Sequence, residues 1–253
     1  MTIIGGVGVS IGFGAYSNLT VKPNIINSAY QLDIDADSIT LSDGLSIYDA
    51  LSVNLTTDIT VTGANGRDAG SEANSIWYGV YVIYNGITVA SLLSTSFTAP
   101  TMPSGYTYKR FVGAVRNDGS GNFLDFIQRG NYVYYISAVD IASGLAQLTY
   151  TAQDVSAVFP TASGRVASMQ IGGYAVTTWM DVFLSANGGV NTHSKFGAGI
   201  NGNIQGSWVE RYVNWNSSSD FMPWISGNNI HFEMDNITAR TYTMQGLAYY
   251  LNL

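Results

Sequence analysis

The chain has 253 residues, 46% of them hydrophobic and only 11% charged, with a formal net charge of −7. It carries no cysteine, two histidines and 10 basic side chains. That excludes disulfides, thiolate nucleophiles and cysteine-ligated zinc, and argues against nucleic acid held through its phosphates.

The predicted elements run as follows. Residues 1–20, MTIIGGVGVSIGFGAYSNLT, are uncharged, Gly-rich and apolar, and read as an extended arm. From Leu32 the period is two: Leu32, Ile34 and Ala36 alternate with Asp33, Asp35 and Asp37. The apolar phase then moves to Ile39 and Leu41, which predicts a bulge near Asp37–Ser38. Leu45, Ile47, Leu51, Val53 and Leu55 keep odd positions apolar, a half-buried strand pattern. Gly63–Ala73 is a loop of breakers, and Ile76–Tyr84 is a dense aromatic and β-branched run. Asn85-Gly86 then predicts a two-residue hairpin leading into Ile87–Leu93, with both turn residues at φ > 0. Further strands are predicted at Tyr108–Arg116, Phe123–Gln128, Tyr132–Val139, Leu145–Ala152, Val166–Ile171, Val176–Leu184, Trp208–Trp215, Ile230–Met234 and Tyr242–Leu251. Short strands at this spacing, with Gly/Asn/Ser turns between them, predict an all-β chain. The expected fold is a jelly-roll-like β-sandwich over 41–253, with an N-terminal arm or anchor over 1–40.

No membrane partner is expected: the run Ile76–Tyr84 is about half of the ~20 residues a membrane helix needs. The first 21 residues lack Lys and Arg, so the basic start of a signal peptide is missing.

Motifs for chemistry are weak. Glycines at 6, 8 and 12 give GxGxxxG, one residue off a dinucleotide turn, with Pro23 and no amphipathic helix behind it. Asp33, Asp35 and Asp37 suggest an acidic cation loop. The EF-hand positions that need Gly and Glu hold Ser38 and Gly44 instead, so the three read as a solvated strand face. His193 and His231 lack a third histidine. Glu210 and Glu233 are the carboxylates to weigh for glycoside hydrolysis, which needs two that converge. Trp77, Trp179, Trp208, Trp215 and Trp224 read as core or interface, with a lectin-like surface over Trp208–Trp224 as the alternative. The expectation is no catalytic residue, no cofactor and no metal site.

One block is more specific. GANGRDAG at Gly63–Gly70, WYGVYVI at Trp77–Ile83, LLSTSFTAPTMPSGY at Leu92–Tyr106 and FVGAVRNDGSGN at Phe111–Asn122 follow one another within Val61–Gly130. This block resembles a segment of tailed-bacteriophage virion structural proteins of head-fibre, decoration or tail-fibre type. The resemblance implies a non-enzymatic virion protein that binds capsid or tail proteins through its N-terminal arm and forms a homotrimer. It brings no catalytic residues. The alternative is a tail-fibre or receptor-binding module that recognises host-surface glycans.

Overall fold

The structure is a computed structural model that describes residues 16–145, 151–160, 164–174, 180–185, 193–198, 208–214, 229–234, 241–251 and 253. The described residues are all-β and include no helix. β1 (Tyr16–Ser17) and β2 (Thr20–Pro23) lie along β3 (Gln31–Ser42), which also pairs with β4 (Ile47–Asp58). β5 (Gly66–Arg67), β6 (Trp77–Tyr84), β7 (Val89–Ser94) and β8 (Tyr108–Arg116) form a second group. β9 (Phe126–Arg129) and β10 (Tyr132–Leu145) return to the first, and β11 (Thr151–Asp154) opens a small sheet. β12 (Gly164–Tyr174), β13 (Met180–Ser185), β14 (His193–Ala198), β15 (Trp208–Asn214), β16 (Asn229–Met234) and β17 (Thr241–Leu251) complete the chain. The small sheet is ordered β11-β16-β13-β14.

The large sheet turns at one corner. β3 meets β8 at the single pair Ser42–Lys109. Beyond it the inner edge of β8 is satisfied by side chains and a loop instead of a strand. Val112 O accepts Gln128 Nε2 at 2.7 Å, Ala114 O accepts the Tyr249 hydroxyl at 3.2 Å, and Arg116 O accepts Leu124 N at 3.0 Å. The two halves therefore face each other over one core, as a sandwich does. Val21, Leu32, Ile34, Phe126, Val133 and Tyr249 come from one side, and Val80, Val82, Val112 and Ala114 from the other. The loop 155–159 closes this core against β17 at Gly246. A Cβ there would come within 2.2 Å of Val158 Cγ1 and 2.8 Å of Phe159 Cζ, so glycine lets the two segments touch.

β6 explains its own sequence. Its Val80 and Val82 enter the main core, while Tyr81 and Ile83 enter a second one under Met102, Tyr106 and Phe111. A strand covered on both faces needs a continuous apolar run instead of alternation.

Three expectations are corrected. The hairpin after β6 is not a two-residue Asn85-Gly86 turn. Asn85 N donates to Thr88 O, Gly86-Ile87 form the tip, and the Asn85 side chain accepts Ile87 N and Thr88 N at 2.9 and 2.7 Å. Gly86 has φ +93°, and Asn85 does not share the positive φ because its side chain is used as the cap.

The bulge near Asp37–Ser38 has no extra residue. Pairing with β4 keeps one register from Gln31–Asp58 to Ser42–Ile47. Asn18, between β1 and β2, and Ser52, within β4, flank Asp37 on either side and take φ +52° and +51°. A left-handed residue turns the following side chains to the other face without adding length. On β4 the inward set therefore changes from Tyr48 and Ala50 to Val53 and Thr57. Leu45, Ile47 and Leu51, expected inward, are exposed.

The strand over His193–Ala198 was not expected from sequence, and β10 and β12 run beyond their predicted ends. The expected arm over 1–40 is described only from Tyr16, and that part belongs to the sheet. Leu19, Val21, Leu32 and Ile34 are fully buried, and the expected boundary falls inside β3. Residues 1–15 lie outside the described residues, and so does the GxGxxxG motif.

Candidate interaction surfaces

The residues singled out in the sequence are dispersed. Asp33 Oδ1 accepts Asn24 Nδ2 at 2.8 Å and Thr56 Oγ1 at 3.1 Å, and Asp37 Oδ2 accepts Asn18 Nδ2 at 2.6 Å. Asp33 and Asp37 are thus bonded to separate neighbouring segments instead of converging on one point. Among the described residues no group of three His, Asp or Glu could hold a metal ion. Glu210 sits on β15 opposite Gly172 in the large sheet, and Glu233 sits on β16 opposite Phe183 in the small one. His193 and His231 occupy one row, both opposite Ser185 of β13. Trp77 is a packing residue: its Nε1 donates to Ser156 O at 2.6 Å and its ring meets Tyr249 edge-on at 5.9 Å. Trp208 opens β15, while Trp179, Trp215 and Trp224 lie outside the described residues.

What the fold brings together instead is the end of the sandwich at the β3–β4 and β6–β7 turns. Tyr84 closes β6 opposite Tyr108, the first residue of β8. Tyr48 of β4 stacks on Tyr84 with ring centroids 3.7 Å apart and planes 8° apart, and Tyr108 meets Tyr48 edge-on at 6.5 Å. The Tyr108 and Ser46 hydroxyls are 2.8 Å apart, which ties this cluster to the β3–β4 turn. Asp43 holds that turn by accepting Leu45 N and Ser46 N at 2.8 and 2.7 Å. These hydrogen bonds, Ser46 first, keep its carboxyl below the usual range. Desolvation, followed by the hydrogen bond and charge of Tyr48, raises the Tyr84 phenol. Around the tyrosines stand the bare tips Leu45, 98% exposed, and Ile87. No sequence period marks these tyrosines, because their meeting depends on the β6–β8 register.

Beside them, at the sheet corner, lies a groove of about 340 Å³. Tyr81, Phe97 and Phe111 wall it on one side, and Thr40, Ser42, Ile47, Thr98, Lys109, Arg110 and Leu253 line the rest. Phe97 and Phe111 meet edge-on at 5.8 Å, and Tyr81 is anchored by donating to Ser96 O at 2.8 Å. Lys109 Nζ reaches Thr98 O at 3.5 Å, while Arg110 Nε is buried with no hydrogen-bond partner among the described residues. Adjacent Lys and Arg in an acidic chain are the sequence signal for this spot.

A third feature is β4 itself. Among the described residues it pairs with β3 alone, so its other edge is open along much of 12 residues. Leu51, 71% exposed, and Ile47 stand on it. At the opposite end of β3, Ile25 and Ile26 are bare beside Ile136.

The family model described as Domain of Unknown Function (DUF1522) matches residues 35–211, more than two thirds of the chain. The chain belongs to the DUF1522 family. The DUF1522 match starts inside β3 and ends inside β15. It includes the tyrosine cluster, the open β4 edge and most of the groove, and leaves out β1, β2, β16 and β17. Comparison with curated proteins finds no match.

Proposed function

We propose that this chain is a non-enzymatic virion structural protein that decorates or projects from a phage particle as a homotrimer. The observation that carries the reading is the open β4 edge with apolar residues on it. An edge strand presents unpaired N–H and C=O groups, and proteins normally blunt such edges with charge, proline or a cover. Here Ile47 and Leu51 do the opposite, in a chain with few charges to solvate its surface. Such a strand favours burial against another chain. Closed cyclic symmetry buries edges without open-ended growth, and threefold order follows from the resemblance over Val61–Gly130. Partners are sister copies and the capsid or tail proteins to which the N-terminal region attaches. Antibody-labelled electron microscopy of particles released by the host tests this. Label on heads or tails is expected, and particles free of the protein would overturn it.

A second reading has its own observation. The Tyr48–Tyr84 stack with Tyr108 at its edge is an aromatic platform between bare turns. Aromatic faces bind the apolar faces of sugar rings, so this end would recognise host-surface glycans in a receptor-binding module. Glycan binding lost in Tyr84→Ala supports it, and unchanged binding removes it.

A further inference from the structure

We propose that Asn85-Gly86 is a site of self-modification, at which the β6–β7 tip converts its own neutral amide into a carboxylate. The reaction needs neither a trimer nor a glycan, and its chemistry belongs to the dipeptide. Gly86 N attacks Asn85 Cγ and the N–Cγ bond forms. The Cγ–Nδ2 bond breaks, and Nδ2 leaves as ammonia with the proton that Gly86 N gives up. Water then opens the five-membered imide. Attack at Cγ restores the main chain as an aspartate. Attack at the main-chain carbonyl carbon of residue 85 leaves an isoaspartate, with one more methylene in the main chain.

The same dipeptide occurs at Asn65-Gly66, and the fold treats the two in opposite ways. Asn65 Oδ1 reaches across to β7, where it accepts Ser91 N at 2.9 Å and Ser91 Oγ at 3.2 Å, so a distant strand holds its amide. Gly66 is buried, and its N–H donates to Gly63 O at 3.0 Å. A Cβ on Gly66 would stand 2.5 Å from Val61 O, so the packing there leaves no room for an imide ring. The other two Asn-Gly pairs, Asn187-Gly188 and Asn201-Gly202, lie outside the described residues.

At the tip each of these conditions is reversed. Asn85 Oδ1 accepts Ile87 N and Thr88 N, at 2.9 and 2.7 Å. A side chain bonded to residues two and three positions ahead folds over the peptide between them, whose nitrogen is Gly86 N. The two N–H groups also point at the oxygen on which charge grows as Gly86 N attacks, an arrangement that stabilises an oxyanion. Gly86 is exposed, and its N–H donates to no backbone oxygen among the described residues. No atom beyond its chain neighbours lies within 4 Å of its Cβ position, so nothing crowds the ring. The products change this end of the molecule. Either one adds a negative charge next to Tyr84, and isoaspartate also turns the capping oxygen into a main-chain carbonyl and lengthens the turn.

The test incubates the full chain in mildly alkaline buffer, beside a sample unfolded in urea, and follows both by peptide mapping and mass spectrometry. Isoaspartate is read separately by labelling with an isoaspartyl methyltransferase. In the folded chain, Asn85 is expected to gain the mass of the acid at least about tenfold faster than Asn65, a modest share of what aligned N–H donors give a developing oxyanion. In urea the two rates should come together, because the fold and not the dipeptide sets the difference. Gly86→Val should stop the reaction at Asn85, in folded and unfolded samples alike, and leave Asn65 as it was. Three results would each overturn the proposal: an Asn85 that stays an amide in the folded chain, an Asn65 that reacts as fast as Asn85 there, and a preference for Asn85 that persists unchanged in urea.

Discussion

β6 and β4 are both rich in apolar residues, but they stand differently toward the rest of the molecule. β6 is covered on both faces, by the main core and by the 95–107 segment, and its six inner residues are buried. Among the described residues β4 is covered on one face and paired on one edge, and its outward Leu51 is 71% exposed. Apolar residues on β6 are therefore accounted for by folding alone. The exposed Leu51 of β4 is not, which is why β4 carries the proposed contact between copies.

The largest effect that would sharpen this contrast is at β6. Ile83→Ala removes a fully buried side chain and is expected to cost about 2–5 kcal/mol by chemical denaturation. Leu51→Ala on β4 should leave the single chain's stability within about 0.5 kcal/mol. Comparable losses at both positions would mean that β4 is covered within the chain.

At the β6–β7 tip, Gly86→Val should cost on the order of 1–2 kcal/mol. Gly86 has φ +93°, and its Cβ position is open to solvent, so the cost is backbone strain and not a clash. An unchanged thermal midpoint would show that the tip adopts another conformation.

A smaller effect separates the two strands by pH. Tyr81 on β6 is pushed up to about 12 by burial, with the Asp68 charge adding to it. Its folded pKa lies above the unfolded value of about 10, so the neutral phenol is favoured in the folded chain. The stabilisation is complete below pH 10 and is lost as pH rises toward 12. Tyr81→Phe should flatten that alkaline loss in a denaturation series from pH 9 to 12. A slope unchanged by the substitution would place the loss in the buried phenols of Tyr135 and Tyr249, which burial also raises.

Much of the fold was legible in the residues. Tyr108–Arg116 matches β8 at both ends, and the all-β class follows from alternation and turn residues. The turn at 85–88 differs from its sequence expectation because Asn85 can serve as a left-handed residue or as a side-chain cap, and sequence does not distinguish the two. The exposure of Leu45, Ile47 and Leu51 was hidden for a subtler reason. Alternation fixes only relative faces, and a single left-handed Ser52 reverses which face is inner. The tyrosine cluster and the corner groove depend on strand register and on the Ser42–Lys109 corner, and no local pattern encodes either.

The contact between copies is the claim on which the proposed function stands, and light scattering at micromolar concentration tests it directly. The native chain should give about three times 27.1 kDa. Ile47→Asp with Leu51→Asp, which places charge along the open β4 edge, should give a folded monomer. A native chain that is monomeric, or a double variant that keeps the native mass, would contradict the assignment of β4 as the contact between copies.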